Sequence, residues 1–245
     1  MKDLKHVSCF SRGLSGLLRL FFRLLYHEFA WTYDWVAAFV SVGNWERWVL
    51  AVLPFIEQGP ILEIGHGPGH LQAALSERAS EIYGLDASPQ MGRLATRRLR
   101  NAGLTPRLLR ARSQEIPFPN RTFSTIVSTF PSEYIFDSQT LQENWRVLVP
   151  GGRLVVLPFA WITGRRPAER AAAWLFQVTR QSIRFPAPQG DGGMGKFEIQ
   201  DQAELEPWFQ YFTQARQVGF QINAKILSLG NSAILILIAD KPAVP

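Results

Sequence analysis

The chain has 245 residues, of which 47% are hydrophobic and 19% are charged, so it can build one substantial core and is not largely disordered. Its formal net charge of +6 suits a nucleic-acid binder or a protein resting on an anionic membrane. Its single cysteine excludes an internal disulfide framework and a cysteine-rich metal site. None of the four histidines has metal-ligand spacing, so we expect no metal cofactor.

The first 57 residues predict a helical extension, with three helices over residues 10–57. Within it, residues 12–25 place Arg12, Arg19 and Arg23 on one helix face and large apolar side chains on the opposite face. The segment is too short and too charged for a signal peptide or a membrane span. Two interpretations stay open: a helix packed over the core or the functional site, and a helix lying on a membrane surface.

From residue 61 onward, short apolar runs alternate with longer amphipathic ones. Strands are predicted at 61–65, 82–86, 105–111, 125–130, 153–158, 221–229 and 233–239. Helices are predicted near 69–79, 89–102, 138–148 and 201–218. This alternation predicts an α/β fold whose mostly parallel sheet is covered by helices on both faces. Only three residues join the last two strands, so these strands must pair as an antiparallel hairpin.

Residues 159–200 do not follow this alternation. A helix is predicted over 167–184, and a glycine-rich loop follows over 186–195. A long glycine-rich loop inside a compact domain is often a functional lid, and we expect this insertion to form a cap.

A glycine-rich turn follows the first predicted strand, with Glu63, Gly65, Gly67 and Gly69 at alternate positions. Glycines let the backbone approach a ligand closely, and a helix N-terminus offers free N–H groups. Asp86 ends the second strand, where a carboxylate can accept hydrogen bonds from both hydroxyls of a ribose. The alternative is that Asp86 only caps the next helix. Together the two features predict a nucleotide-like ligand.

These motifs resemble those of class I S-adenosylmethionine-dependent methyltransferases, and the pattern is closest to the ubiquinone/menaquinone-biosynthesis C-methyltransferase-like small-molecule enzymes. The matching stretches are 61–71, 84–91, 115–119, 123–130 and 141–152. The resemblance implies a Rossmann-like, seven-stranded sheet ending in the antiparallel hairpin. It also implies S-adenosylmethionine as cofactor and S-adenosylhomocysteine as product. The methyltransferase domain would cover 58–245, with the cap insertion at 159–200 and the extension of residues 1–57 over the active site.

The resemblance also assigns cofactor-binding roles. The residues concerned are Tyr33, Glu63, Gly65, His66, Gly67, Gly69, Asp86, Ala87, Met91, Ser113, Gln114, Ser128 and Thr129. Glu63 would orient the methionine end, and Asp86 would hold the ribose. Such enzymes often have an acidic residue where this chain has Arg112, and an arginine has only donors, so it cannot accept from the adenine amino group.

Methyl transfer from a sulfonium is an in-line displacement that needs a general base only for an acceptor that holds its proton tightly. Candidates for this role share a position near the expected methyl group: Glu133, Tyr134, His27, Tyr33 and His66. Each could instead be a packing or helix-start residue. Aromatic side chains flank the same region: Trp31, Trp35, Phe130, Phe159, Trp161 and Trp174. They favour a small hydrophobic or aromatic acceptor, and cation–π attraction keeps N-methylation open beside C- and O-methylation.

The leading hypothesis is therefore a cytoplasmic enzyme, peripheral to the membrane if residues 12–25 contact lipid, that methylates a lipophilic small molecule. An RNA or DNA methyltransferase is a weaker alternative, because Ser128-Thr129-Phe130-Pro131 replaces the motif that such enzymes carry after the fourth strand. A cofactor-binding assembly or regulatory protein is the alternative from a different class. An NAD-dependent oxidoreductase does not fit the Pro-Gly-Gly before the fifth strand or the terminal hairpin.

Overall fold

The structure is a computed structural model, and it describes residues 43–79, 81–163, 196–198 and 209–243. Eight strands lie in these residues: β1 (Ile61–Ile64), β2 (Ile82–Asp86), β3 (Leu108–Arg110), β4 (Phe123–Thr129), β5 (Leu148–Ile162), β6 (Lys196–Glu198), β7 (Gln221–Ser228) and β8 (Ser232–Asp240). The described α-helices are α1 (Trp45–Leu50), α2 (His70–Leu75), α3 (Pro89–Asn101), α4 (Ser138–Val147) and α5 (Phe209–Val218).

The strands form one sheet in the order β3-β2-β1-β4-β5-β8-β7-β6. Strands β1 to β5 pair parallel, whereas β8 pairs antiparallel with β5 and β7. The predicted mostly parallel sheet with its terminal antiparallel hairpin is confirmed, and all seven predicted strands are present. Strand β6 adds an eighth, unpredicted strand, which pairs antiparallel with β7.

Helices cover both faces of the sheet because alternate strand residues point to opposite sides. In β1, Ile61 packs with the apolar side chains of α1 and α2, whereas Leu62 and Ile64 pack with those of α4 and α5. All four residues of β1 are buried. The α/β layering inferred from the sequence is therefore confirmed for the described residues.

Helix α1 is the part of the predicted N-terminal helices that the structure describes, with a 3₁₀ turn at Leu53–Phe55 after it. The side chain of Trp48 is 1% exposed, and its Nε1 donates a hydrogen bond of 2.8 Å to Ser232 Oγ on β8. A buried indole N–H needs such an acceptor. This contact attaches the helix to the C-terminal hairpin. The remaining residues of the predicted extension, 10–42, lie outside the described residues.

Strand β5 is longer than predicted at both ends. It starts at Leu148, before the Pro-Gly-Gly sequence, where Gly151 adopts a φ of +81°. At the other end it pairs with β8 as far as Ile162, with an irregularity between Val156 and Phe159. Residues 159–162 therefore belong to the sheet and not to the predicted insertion, whose helix at 167–184 and glycine-rich loop at 186–195 lie outside the described residues.

Two basic side chains stabilise the C-terminal part of α4 and its contact with the loop before β4. Lys241 Nζ donates hydrogen bonds of 2.7 Å to the carbonyl oxygens of Trp145 and Leu148, which the end of the helix leaves without intrahelical partners. Arg146 donates to the carbonyl oxygens of Ile116 and Phe118, both at 2.8 Å. The loop before β4 is thus tied to the helix that follows it.

No helix within the described ranges is long and apolar enough to span a lipid bilayer.

Candidate functional site

The glycine-rich turn connects β1 to α2 at the carboxyl edge of the sheet. Gly65, Gly67 and Gly69 have φ angles of +71°, +52° and +85°, a region that other residues rarely adopt. Gly69 is the N-cap of α2, and its amide donates to the His66 carbonyl oxygen at 3.0 Å. A Cβ on Gly67 would meet no atom within 4 Å. The turn therefore presents open backbone at its centre, as a cradle for a ligand would.

Asp86 ties this turn to the neighbouring strand. One carboxylate oxygen accepts from the Gly67 amide at 3.0 Å, and the other accepts from the Ser88 amide at 2.8 Å. Ser88 in turn caps α3 through its side chain, which accepts from the Met91 amide at 3.3 Å. Asp86 itself is half-buried. Each carboxylate oxygen has a second lone pair, so the group can also accept from ligand hydroxyls.

Glu63 lies on the side of the sheet that α2 covers. It is 1% exposed, and its Oε2 accepts a hydrogen bond of 2.8 Å from Gln72 Nε2. Burial raises the pKa of Glu63 from 4.5 to about 8, the hydrogen bond from Gln72 opposes the rise, and the charge of Asp86 adds to it. The carboxyl group is therefore mostly neutral at pH 7.

His66 is also buried, with 4% of its surface exposed. Its Nδ1 lies 2.7 Å from the Gly67 carbonyl oxygen, and its ring lies against Gly84 of β2, where a Cβ would approach it to 3.0 Å. Burial lowers the pKa of His66, although the charge of Asp86 acts in the opposite direction. A neutral ring with Nδ1 protonated fits these contacts.

The end of β4 forms the adjacent wall. Ser128 is fully buried and donates to the Ile64 carbonyl oxygen at 2.7 Å, and Thr129 beside it is half-buried. Phe130 follows with a φ of +49° and stacks on Trp45 of α1, the ring centroids 4.5 Å apart. Left-handed conformations of bulky residues are strained and concentrate at functional sites.

A 3₁₀ turn, Glu133–Phe136, carries two of the predicted catalytic residues. The Tyr134 hydroxyl lies directly over Gly65, where it would be 2.4 Å from an added Cβ. Glu133 is exposed, so the structure does not bury it within the site. Of the two predicted bases on this 3₁₀ turn, Tyr134 is thus the one that reaches the glycine-rich turn.

The loop after β3 supplies the last described side chains of the predicted site. Ser113 is buried, and its Oγ lies 3.1 Å from Thr140 Oγ1. Gln114 is half-buried, and its carbonyl oxygen accepts from Gln139 Nε2 at 3.3 Å. At the start of α3, Ala87 is exposed and Met91 is buried. Arg112 is exposed in the same loop as Ser113.

The structure thus brings the predicted residues of β1, β2, β4 and the loop after β3 to one edge of the sheet, as expected for parallel strands of this topology. His27, Tyr33, Trp31, Trp35 and Trp174 lie outside the described residues. The sequence analysis did not identify Gln72 as the hydrogen-bond partner of Glu63. The position of Gln72, nine residues later on the helix that follows β1, could have indicated this contact. The stack of Trp45 on Phe130 had no signal in the sequence.

The site fits S-adenosylmethionine. Positive-φ glycines leave room for the chain of the ligand at Gly67, Asp86 offers acceptors for ribose hydroxyls, and Ser113 and Gln114 lie in the loop next to the end of β2. Among the residues with described coordinates, no group of three or more His, Cys, Asp or Glu side chains could hold a metal ion.

Comparisons with known proteins agree with this geometry. Residues 61–152 match the family described as a methyltransferase domain. The demethylmenaquinone methyltransferase of Thermus thermophilus is 30% identical over 228 residues, which cover 89% of this chain and 100% of that protein. The ubiquinone/menaquinone biosynthesis C-methyltransferase of Geotalea daltonii is 30% identical over 137 residues, which cover 52% of this chain and 58% of that protein.

Solved structures share the fold. A proposed S-adenosyl-L-methionine-dependent methyltransferase of Methanococcus maripaludis superposes with a TM-score of 0.57 at 18% identity, covering 88% of this chain and 93% of that one. A geranyl diphosphate methyltransferase in complex with its cofactor gives a TM-score of 0.51 at 15% identity, covering 81% and 91%.

Proposed function

Because this chain belongs to the class I S-adenosylmethionine-dependent methyltransferases of the ubiquinone/menaquinone-biosynthesis type, we propose that it methylates a ring carbon of a reduced, demethylmenaquinone-like quinone. The observation that carries the proposal is the alignment with the Thermus thermophilus enzyme, which extends over 100% of that protein and 89% of this chain. The similarity therefore includes the segments that surround the cofactor fold as well as the fold itself.

The cofactor supplies a methyl group already activated on a sulfonium, so the protein's main task is to position the acceptor and exclude water. Gly65, Gly67 and Gly69 form the cradle, and the oxygens of Asp86 accept from ribose hydroxyls. Ser113, Gln114, Ala87 and Met91 line the adenine end in this proposal. Ser128 and Thr129 border the reacting end.

Glu63 and His66 support the cradle from the side of the sheet that α2 covers. Glu63 holds Gln72, and His66 holds the Gly67 carbonyl group. Direct contact between Glu63 and the ammonium group of the methionine end stays a prediction. The burial of the Glu63 side chain does not favour it.

The acceptor lies, in this proposal, against the stack of Phe130 and Trp45. A hydroquinone ring has a planar face that packs well on such a surface. A bond forms between the nucleophilic ring carbon and the methyl group as the carbon–sulfur bond breaks, and the ring carbon then loses its proton. Tyr134 is a described residue placed to relay that proton, because its hydroxyl lies over Gly65 and can pass its own proton to water as it accepts the one from the ring carbon.

The proposal also assigns roles to the N-terminal residues 1–57. Residues 1–57 cover the acceptor and include the further base candidates Tyr33 and His27, while 58–245 form the catalytic domain with its cap insertion. Residues 12–25 contact the surface of the membrane in which a lipophilic quinone is dissolved, which makes the enzyme peripheral to that membrane on the cytoplasmic side. The alternation of arginines and large apolar side chains in that segment supports this assignment.

The test is transfer from labelled S-adenosylmethionine to a naphthohydroquinone that lacks one ring methyl group, with the product identified by mass spectrometry. Phe130→Leu should raise the KM for the hydroquinone and leave the affinity for S-adenosylhomocysteine unchanged. Phe55→Leu is the matched control, since Phe55 packs on the same apolar cluster but belongs to the 3₁₀ turn after α1. Asp86→Asn should weaken S-adenosylhomocysteine binding by about tenfold or more.

Binding of S-adenosylhomocysteine without transfer to the reduced acceptor would refute the quinone assignment and leave the methyltransferase assignment intact. If Phe130→Leu leaves the KM for the hydroquinone unchanged, the stack of Phe130 and Trp45 does not contact the acceptor.

A further inference from the structure

A groove of about 490 Å³ runs between α3 and the edge strand β3, beside the predicted cofactor site. Of the predicted cofactor-binding residues, only His66 and Asp86 also line the groove. The rest of its lining comes from α3, including Arg93, Arg97 and Arg100, and from β3, including Leu108, Leu109 and Arg110. Nothing in the methyl-transfer chemistry uses these residues.

The groove is strongly cationic. Arg93, Arg97 and Arg100 are spaced four and three residues apart on α3, so their side chains follow one face of the helix. Arg110 joins them from β3, where its Nε donates to the Ala87 carbonyl oxygen at 3.3 Å. All four guanidinium groups are exposed, and none forms an ion pair with a carboxylate in the described part of the chain.

Helix α3 contains no acidic side chain that could balance the positive charge of its arginines. Its sequence contains four arginines. Like charges four residues apart destabilise a helix, so an anion bound between them would offset the repulsion. Asp86 is the acidic side chain that lines the groove, and its two oxygens already accept from the Gly67 and Ser88 amides at one end.

The shape and chemistry of the groove indicate which anion fits. A guanidinium group binds two oxygens of one phosphate through parallel N–H donors, and arginine is the residue best suited to this geometry. Thr96 and Asn101 add uncharged donors, and the half-buried Leu108 and Leu109 provide apolar wall for the carbon part of an ester. No aromatic side chain lines the groove, so it offers no platform on which nucleic-acid bases could stack.

We propose that this groove binds a phosphate ester. Arg97 and Arg100 donate hydrogen bonds to the phosphate oxygens, and Arg93 and Arg110 lie on either side of them. The ester is either the headgroup of an anionic phospholipid or a soluble phosphorylated metabolite, since the recognition chemistry is the same. The site is separate from methyl transfer and does not depend on the identity of the acceptor. The groove runs along α3 from Ser88 to Asn101, so only its near end, at Asp86 and Ser88, borders the predicted cofactor site.

The test compares Arg97→Gln/Arg100→Gln with the charge-matched control Arg78→Gln/Arg216→Gln, whose arginines are also exposed but lie on other parts of the surface. Binding of glycerol 3-phosphate is measured by calorimetry. Binding to phosphatidylcholine vesicles with and without phosphatidylglycerol is measured by co-sedimentation. The groove variant should lose at least about tenfold in affinity for one of these probes, whereas the control should keep most of it.

Loss confined to the phosphatidylglycerol vesicles identifies a lipid headgroup as the source, and loss for glycerol 3-phosphate identifies a soluble ester. Affinity for S-adenosylhomocysteine should be the same in both double variants, which shows that the cofactor site is intact. Equal losses in the groove variant and the control would overturn the proposal, because the effect would then be one of net charge. Binding of neither probe by the unaltered protein, or of an RNA oligonucleotide alone, would also overturn it.

Discussion

Replacing Glu63 by glutamine removes an ionisable group that the fold buries beneath the glycine-rich turn. The amide has nearly the shape of a protonated carboxyl group, and its oxygen can still accept from Gln72 Nε2 at the position now occupied by Glu63 Oε2. The substitution therefore leaves the packing and the hydrogen bond in place. What it changes is the ability of residue 63 to ionise.

The effect on stability follows from the pKa of Glu63, which burial raises from 4.5 to about 8. As the pH rises above 4.5, the carboxyl group ionises in the unfolded chain but stays neutral in the folded one, so the free energy of unfolding falls by about 1.4 kcal/mol per pH unit. The loss reaches about 3 kcal/mol at pH 7 and levels off above pH 8, where both states are ionised. Glutamine avoids this loss.

We therefore expect Glu63→Gln to match the parent in stability near pH 4.5 and to exceed it by about 3 kcal/mol at pH 7. Urea unfolding followed by tryptophan fluorescence at several pH values between 4.5 and 8.5 measures the difference. Glu77→Gln, which alters an exposed carboxylate just after α2, is the control and should show no such trend.

A constant difference across this pH range, or a less stable variant at pH 7, would refute the reasoning, because the native carboxyl group would then be ionised. The same variant tests the site. At pH 7 its affinity for S-adenosylhomocysteine should be retained, since a neutral acid and an amide carry the same charge. A loss of more than about tenfold would instead show that the ligand holds an ionised carboxylate.

Three further substitutions test how the site is supported. Gly69→Ala should destabilise the protein by about 2 kcal/mol, because its Cβ would lie 2.9 Å from the Ala95 Cβ at a φ of +85°; thermal unfolding at the wild-type midpoint would contradict this. Arg146→Gln should cost about 3 kcal/mol in urea unfolding by freeing the 116–120 loop, and a neutral effect would show that the loop is held otherwise. Lys241→Met should cost about 2 kcal/mol by exposing the helix-end carbonyls, and denaturation at an unchanged urea concentration would refute that role.

Features that depend on local sequence could be predicted. The periodicity of apolar residues and the access of glycine to positive φ angles each determine the conformation of only a few neighbouring residues. The strand–helix alternation, the terminal hairpin and the cradle of Gly65, Gly67 and Gly69 are of this kind. Asp86 belongs with them, because a carboxylate at the end of the second parallel strand can reach the turn after the first.

Features that depend on distant partners could not be predicted in this way. Strand β5 continues to Ile162 because β8 offers hydrogen-bond partners along that whole length. The residues near 159 do not indicate how far β8 extends. The burial of Glu63 towards Gln72 depends on which face α2 covers. The left-handed conformation of Phe130 is compatible with its stack on Trp45, a residue 85 positions earlier in the chain, and sequence periodicity carries no information about such a pair.

The hydrogen bond between Trp48 and Ser232 joins positions 184 residues apart. A ribosome that adds about 5 to 20 residues per second needs about 10 to 40 s to travel from one to the other. Throughout that interval the indole of α1 has no serine acceptor and no hairpin to pack against. Helix α1 is therefore synthesised before the strands of the sheet but can complete its packing only after almost all of them have been made.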